Sequence, residues 1–184
     1  MHKRAIAVGR YTHQKGFDLL IKAWQIVYLK HPDWELHIFG GGDNQSYANI
    51  ANKLSLKDVV TCHGPVDDIR NEYLNSSIFV LSSRFEGFGL VLAEAMSVGL
   101  APVAFTCPCG PRDIIHDGED GILCENGNIV KLAEGICQLI ENEQLRQEMG
   151  QKAAQNIQRY TIDNIMKQWD ELFQEIHRSH AIKA

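Results

Sequence analysis

Short apolar runs alternate with segments of helical periodicity along most of this sequence. Six runs have the length and composition of buried strands: 4–8, 34–39, 59–63, 78–82, 101–105 and 122–124. Strands that are apolar on both faces belong to a parallel sheet with helices on either side. The sequence therefore predicts a doubly wound, Rossmann-like α/β fold with about six strands.

Helical periodicity fills the segments between the strands. The first helix is followed by Pro32 as a stop signal, and Asp67 or Asp68 is the predicted N-cap of a later one. After Gly127 the pattern is helical only. The predicted helices are 17–27, 44–54, 68–75, one that begins near Phe88, 129–141, 143–159 and 162–180.

Composition limits the class of protein. The 184 residues are enough for one hydrophobic core, so we treat 1–184 as one domain with 128–184 as its helical C-terminal extension. A net charge of −5 and the lack of a long basic block argue against a nucleic-acid partner. Five irregularly spaced cysteines fit a reducing compartment. With no transmembrane run and no signal peptide in the sequence, we expect a protein of the cytoplasm or of the cytoplasmic face of a membrane.

Ligands of doubly wound sheets bind where the strands end, so the loop after the fourth strand is informative. Gly87 and Gly89 lie there, between a buried strand and a helix. Such a turn lets backbone N–H groups and a helix N-terminus approach an anion such as a diphosphate. Glu94 inside the helix and Glu86 before the glycines are suited to accept hydrogen bonds from ribose and sugar hydroxyls. The alternative is a simple tight turn beside a surface glutamate.

Two cations, Arg10 and Lys15, flank the loop after the first strand. Both could neutralise a diphosphate, each contact contributing about 1.5–3 kcal/mol. A basic pair alone is more often solvated surface. Its place at the end of a strand, like that of the glycine turn, favours a binding role.

Several motifs follow one another along the chain: Gly9-Arg10, Lys15-Gly16-Phe17-Asp18, Phe39-Gly40-Gly41-Gly42, His63-Gly64, Glu86-Gly87-Phe88-Gly89-Leu90, Glu94-Ala95-Met96 and Cys109-Gly110-Pro111-Arg112-Asp113. As an ordered set, over about residues 4–160, they resemble the nucleotide-sugar half of a GT-B glycosyltransferase. In particular they resemble glycosyltransferase family 4, also called group 1. Glu86 and Glu94 have the spacing of that family's two glutamates.

The resemblance implies a role for each matched position. Arg10 and Lys15 would contact the donor diphosphate and stabilise the charge that grows on it, with Glu86 on the sugar and Glu94 on the ribose. The backbone around Phe88 would complete the phosphate cradle, and the loop after the third strand would border the nucleobase. The implied donor-binding set is Gly9, Gly64, Val66, Gly87, Phe88, Gly89, Leu90 and Glu94.

The resemblance also implies the reaction. Family members retain the anomeric configuration and generally work without a metal ion, and no Asp-x-Asp signature is present here. The implied partners are a nucleoside-diphosphate sugar, UDP- or GDP-linked, and a glycan or lipid-linked acceptor, with no further cofactor. A GT-B enzyme has two α/β halves, so we expect that the N-terminal acceptor domain is absent and that the isolated chain is inactive.

Other functions fit parts of the pattern. One is a non-catalytic domain that binds a nucleotide or sugar phosphate. Another is a GT-B relative, either a nucleotide-sugar epimerase or a phosphorylase, although no lysine is placed for the latter's pyridoxal phosphate. The last helix carries an apolar stripe of Trp169, Leu172, Phe173 and Ile176, for which core packing is the expected fate and partial exposure the alternative.

Overall fold

A computed structural model describes residues 2–181, which form a six-stranded parallel sheet between two layers of helices. The strand order is β3-β2-β1-β4-β5-β6, so the direction of winding reverses between β1 and β4. The predicted doubly wound fold is confirmed. The strands are β1 (Arg4–Val8), β2 (Glu35–Phe39), β3 (Val60–His63), β4 (Ile78–Leu81), β5 (Ala101–Phe105) and β6 (Ile122–Cys124).

Polar side chains cap four of the helices. Asp43, Asp68, Asn128 and Asn142 each accept a hydrogen bond from the backbone N–H three residues further on. Each cap of this kind stabilises a helix by about 1 kcal/mol. The helices are α1 (Phe17–Lys30), α2 (Asn44–Lys53), α3 (Ile69–Leu74), α4 (Leu90–Ser97), α5 (Pro111–Ile114), α6 (Ile129–Glu141), α7 (Glu143–Asn156) and α8 (Ile162–Ala181).

The pleat of the strands separates two hydrophobic cores. In β1, Ala5 and Ala7 point into a core shared with α1 and α6, whereas Ile6 points into a core shared with α4. Helices α1 and α4 therefore lie on opposite faces of the sheet. They follow the neighbouring strands β1 and β4, so both helices begin at the same crevice on the carboxyl edge.

Some elements differ from the predictions. The helix expected from Phe88 begins at Leu90, because Gly89 adopts a left-handed conformation with φ 92° and becomes the N-cap. The helix expected over 143–159 ends at Asn156 and continues as a 3-10 turn, Ile157–Tyr160. The short helix α5 was not predicted, since four residues are too few to show a helical period.

The apolar stripe of α8 does not enter the core, so the expectation of core packing is wrong for it. Exposed fractions along the stripe are 48% for Trp169, 44% for Leu172, 57% for Phe173 and 44% for Ile176. Helix α8 follows the last turn of the domain and projects beyond the two cores. Within residues 2–181, no helix has both the length and the apolar character that crossing a bilayer requires.

Candidate functional site

The loops after β1 and β4 meet at the crevice. The hydroxyl of Ser82 donates to the carbonyl of Lys15 at 2.9 Å, and the N–H of Arg84 donates to the carbonyl of Gln14 at 2.8 Å. Gly16 has φ 63°, and a Cβ built on it would lie 2.1 Å from the carbonyl oxygen of Ser82. Only glycine combines this conformation with this approach, so Gly16 fixes how closely the two loops can come together.

A bidentate ion pair locks the same two loops. Nη1 and Nη2 of Arg84 donate to the two carboxylate oxygens of Asp18 at 2.9 and 2.8 Å, and Nη1 also donates to the carbonyl of His13 at 2.7 Å. The hydrogen bonds from Arg84 lower the pKa of Asp18 below its ordinary value. Sequence reasoning missed Arg84 as a structural residue, although Asp18 stood in one of the quoted motifs.

Lys15 and Glu86 make direct contact inside the crevice. Nζ of Lys15 lies 2.6 Å from Oε1 of Glu86, which also accepts a hydrogen bond from the hydroxyl of Ser83 at 2.6 Å. The side chains are only 15% and 6% exposed, so their attraction is screened less than at the surface. The stem of Lys15 lies against Gly9, where an added Cβ would be 3.0 Å from Cε.

This contact brings together two residues for which the resemblance implied separate ligands, the diphosphate for Lys15 and the sugar for Glu86. Both contacts of Glu86 go to Oε1, which leaves Oε2 for a further donor. The ammonium of Lys15 has three N–H donors, so it can hold Glu86 and a phosphate oxygen together. Arg10, the other predicted cation, lies on the exposed surface of the same loop.

The N-terminus of α4 forms the β4 side of the crevice. Gly89 occupies the N-cap and has no side chain with which to cap the helix, so the first N–H groups are left to water or a ligand. Leu90, the first residue of the helix, is 70% exposed. Gly87 precedes it, where an added Cβ would meet nothing within 4 Å. The arrangement suits an anion approaching the helix end.

A buried tyrosine supports Glu94. The hydroxyl of Tyr73 donates to Oε2 of Glu94 at 3.1 Å, while Glu94 itself is exposed on α4. Burial, followed by the charge of Glu94, raises the pKa of Tyr73, so the phenol remains a donor. The sequence contained no signal for this contact. Tyr73 on α3 meets Glu94 on α4 only because the fold packs the two helices together.

The loop after β3 lies further along the same edge. Gly64 and the exposed Val66 are separated from the β4 loop by β2 and β1. Tyr11 links the β1 loop to the ends of β2 and β3, because its hydroxyl donates to the carbonyl oxygens of Ile38 at 2.7 Å and His63 at 2.9 Å. The predicted residues thus occupy one edge of the sheet and not one compact cluster.

Phe88 belongs to the wall of the crevice. Its ring packs edge to face against Tyr160, with centroids 5.1 Å apart. Its carbonyl oxygen would be 2.4 Å from a Cβ on Gly110, in the loop after β5. The β5 loop therefore supports the glycine turn from behind.

Known proteins are similar to this chain in sequence and in fold. Residues 1–156 match the family model described as glycosyl transferases group 1. An uncharacterized glycosyltransferase of Haemophilus influenzae is 37% identical over 169 residues, which are 91% of this chain and 48% of that protein. This chain thus spans about half the length of that relative.

Two solved structures are similar over most of the chain. The crystal structure of an S. aureus TarM mutant in complex with fondaparinux, alpha-GlcNAc-glycerol and UDP has a TM-score of 0.88 at 33% identity, covering 94% of this chain and 35% of that one. The C-terminal domain of a Francisella tularensis group 1 glycosyl transferase, LpcC, has a TM-score of 0.77 at 26% identity, covering 88% of both chains. With a family match over 1–156 and this fold, the chain belongs to the group 1 glycosyl transferases and has the architecture of a GT-B C-terminal domain.

Proposed function

We propose that this chain is the donor-binding domain of a retaining, metal-independent glycosyltransferase, which moves a sugar from a nucleoside diphosphate to a glycan or lipid-linked acceptor. The contact between Nζ of Lys15 and Oε1 of Glu86, at 2.6 Å, carries the proposal. It lies where the winding of the sheet reverses, the usual ligand position in this fold. A cation for the diphosphate and a carboxylate for sugar hydroxyls are thus adjacent.

The diphosphate would lie between Lys15 and the N-terminus of α4. The free N–H groups after Gly89 and the positive end of the helix attract phosphate oxygens. Arg10, exposed on the β1 loop, supplies a second cation from the solvent side. These groups would stabilise the negative charge that grows on the leaving diphosphate, the role that a metal ion plays in other phosphate chemistry.

The ribose would bind Glu94. One carboxylate oxygen is held by Tyr73 at 3.1 Å, and the other is available to hydroxyls from the crevice. A carboxylate can accept hydrogen bonds from two vicinal hydroxyls, as a ribose presents. We assign the nucleobase to the loop at Gly64 and Val66 and propose uracil as the base, because UDP is bound in the TarM complex.

The acceptor would be bound by another domain. The chain covers 48% of the Haemophilus relative and 35% of the TarM chain. An active site between two α/β halves would place the crevice of this domain against the second half. Acceptor choice and transfer therefore belong to the longer protein, and the isolated chain is expected to bind donor without transferring sugar.

Calorimetric titration of the chain with UDP tests the donor site. We expect saturable binding, weakened at least about tenfold by Lys15→Met and by Glu94→Gln, because each charged contact contributes about 1.5 kcal/mol or more. Added EDTA should leave the affinity unchanged.

Lys57→Met is the matched control, since Lys57 is an exposed lysine before β3, on the opposite edge of the sheet. It should bind UDP like the parent chain. No heat at millimolar UDP, or equal losses for the Lys15 and Lys57 variants, would contradict the proposal.

A further inference from the structure

Three metal-ligating side chains meet at the C-terminal ends of α1 and α6. His31 is the C-cap of α1, and Cys137 and Glu141 lie in the last two turns of α6. Helix α1 begins at the crevice and its 14 residues extend about 21 Å to the opposite edge of the sheet. The cluster is therefore remote from Lys15 and Glu86.

The geometry brings three different ligand types close together. Nε2 of His31 lies 3.0 Å from Oε1 of Glu141, and these atoms and Sγ of Cys137 all lie within 4.8 Å of one another. Cys137 and Glu141 are four residues apart on one helix and thus share a face. Packing of α1 against α6 brings His31 to that face.

One of the three ligands is buried and the other two are open to solvent. Cys137 is 3% exposed and is held within the first core. The side chains of His31 and Glu141 are 18% and 56% exposed, so an ion can enter from solvent. In a tetrahedral site with metal–ligand bonds of about 2.0–2.3 Å, ligand atoms lie about 3.3–3.8 Å apart. Small rotations of the two outer side chains would reach these separations.

We propose that His31, Cys137 and Glu141 bind one zinc ion, with water as the fourth ligand. A thiolate, an imidazole and a carboxylate together suit Zn²⁺ and are poor ligands for Mg²⁺ or Ca²⁺. The ion replaces the proton of the Cys137 thiol, which is released to solvent as the zinc–sulfur bond forms.

A zinc ion here would join the ends of two helices that are far apart in sequence. In the sequence, strands β2 to β6 all lie between His31 and Cys137. A ligand that binds only the folded state stabilises it by mass action. At a hundredfold excess of free Zn²⁺ over its dissociation constant, the melting temperature should rise by about 5–10 °C.

Cobalt(II) titration of the untagged chain tests the site, because Co²⁺ reports its ligands through absorption. We expect one equivalent of Co²⁺ to give a thiolate charge-transfer band in the near ultraviolet, which Zn²⁺ abolishes and millimolar Mg²⁺ does not. Cys137→Ser should remove the band. Cys109→Ser, at an exposed cysteine in the β5 loop, should retain it.

His31→Gln guards against a folding artefact, because its side chain lies at the rim and its loss spares the core. This variant should keep the far-ultraviolet circular dichroism of the parent, bind Zn²⁺ at least tenfold more weakly, and lose most of the zinc-dependent rise in melting temperature. A charge-transfer band that persists in Cys137→Ser, or unchanged zinc affinity in His31→Gln, would overturn the proposal. UDP affinity should be the same with and without Zn²⁺, so this test is independent of the donor site.

Discussion

At the scale of single residues, Lys15 and Glu86 neutralise each other in the crevice. Oε1 of Glu86 is shared by Lys15 and Ser83, both at 2.6 Å. A buried carboxylate beside the proposed phosphate position repels a diphosphate while it orients the lysine. The pair therefore couples sugar recognition to phosphate recognition, and a substitution of one partner alters both.

Glu86→Gln separates these two effects. The amide oxygen can still accept from Lys15 and Ser83, whereas the negative charge is gone. We expect UDP to bind about 2- to 10-fold more tightly, because up to about 1.4 kcal/mol of repulsion is removed. A UDP-sugar should lose its advantage over UDP. Calorimetry with both ligands measures the ratio of the affinity for the UDP-sugar to the affinity for UDP.

Glu119→Gln is the control for a lost negative charge, since Glu119 is exposed in the turn before β6. This variant should change neither the affinity for UDP nor the affinity for the UDP-sugar. If Glu86→Gln weakened UDP binding as much as Lys15→Met, the proposed division between phosphate and sugar would be wrong.

At the scale of elements, the site depends on how closely the β1 and β4 loops approach. Arg84 binds Asp18 across the gap at 2.8 and 2.9 Å, and Ser82 binds the carbonyl of Lys15 at 2.9 Å. These contacts fix the start of α1, and with it the direction of the Lys15 side chain. The position of the cation is thus set by the packing of two loops.

Gly16→Ala tests that dependence. The added Cβ would lie 2.1 Å from the carbonyl oxygen of Ser82 at a φ of 63°, so the loops must separate. We expect a loss of about 2–4 kcal/mol in the free energy of unfolding, together with weaker UDP binding. Urea denaturation and calorimetry measure the two effects.

Gly41→Ala is the matched control, because a Cβ there meets nothing within 4 Å. This variant should lower the free energy of unfolding by less than about 1 kcal/mol. Equal stability of the two alanine variants would show that the approach of the loops is not tight in solution.

At the scale of the whole molecule, α8 is the element that the domain does not bury. Six of its apolar side chains, between Ile162 and Ile176, are 44–80% exposed. A contiguous exposed apolar face is typical of a surface that contacts another domain or another protein. The family resemblance implies that the last helix reaches toward the other half of a GT-B enzyme, and we expect the stripe to be covered there.

Truncation after Thr161 tests the independence of α8 from the domain. We expect the free energy of unfolding to change by less than about 1 kcal/mol, because the two cores lie N-terminal to the cut. The full chain should self-associate with rising concentration, and the truncated chain should remain monomeric. Sedimentation velocity and urea denaturation measure these outcomes.

The double variant Trp169→Glu, Phe173→Glu is a second test of self-association through α8, since it removes apolar surface without shortening the chain. It should reduce self-association like the truncation. A large loss of stability in either variant would show that α8 packs on the domain in solution.

The periodicity of the chain was sufficient to predict the strands and most helices. Apolar runs buried on both faces are typical of parallel strands, and caps such as Asp68 are local signals that need no tertiary information. The start of α4 was misplaced by two residues because the left-handed conformation of Gly89 was not readable from its identity. The predicted roles of all the catalytic and donor-binding residues, Lys15 and Glu86 included, remain predictions.

The sequence by itself determined which residues line the carboxyl edge of the sheet, since each motif follows a predicted strand and parallel strands all end at that edge. Only the tertiary structure decided which side chains touch, at that edge and elsewhere in the molecule. Lys15 meets Glu86, Tyr73 supports Glu94, and His31 joins Cys137 and Glu141, each across at least 21 positions of chain. Such contacts depend on how helices and loops pack around the sheet, and packing is set by shape and volume that no local pattern encodes.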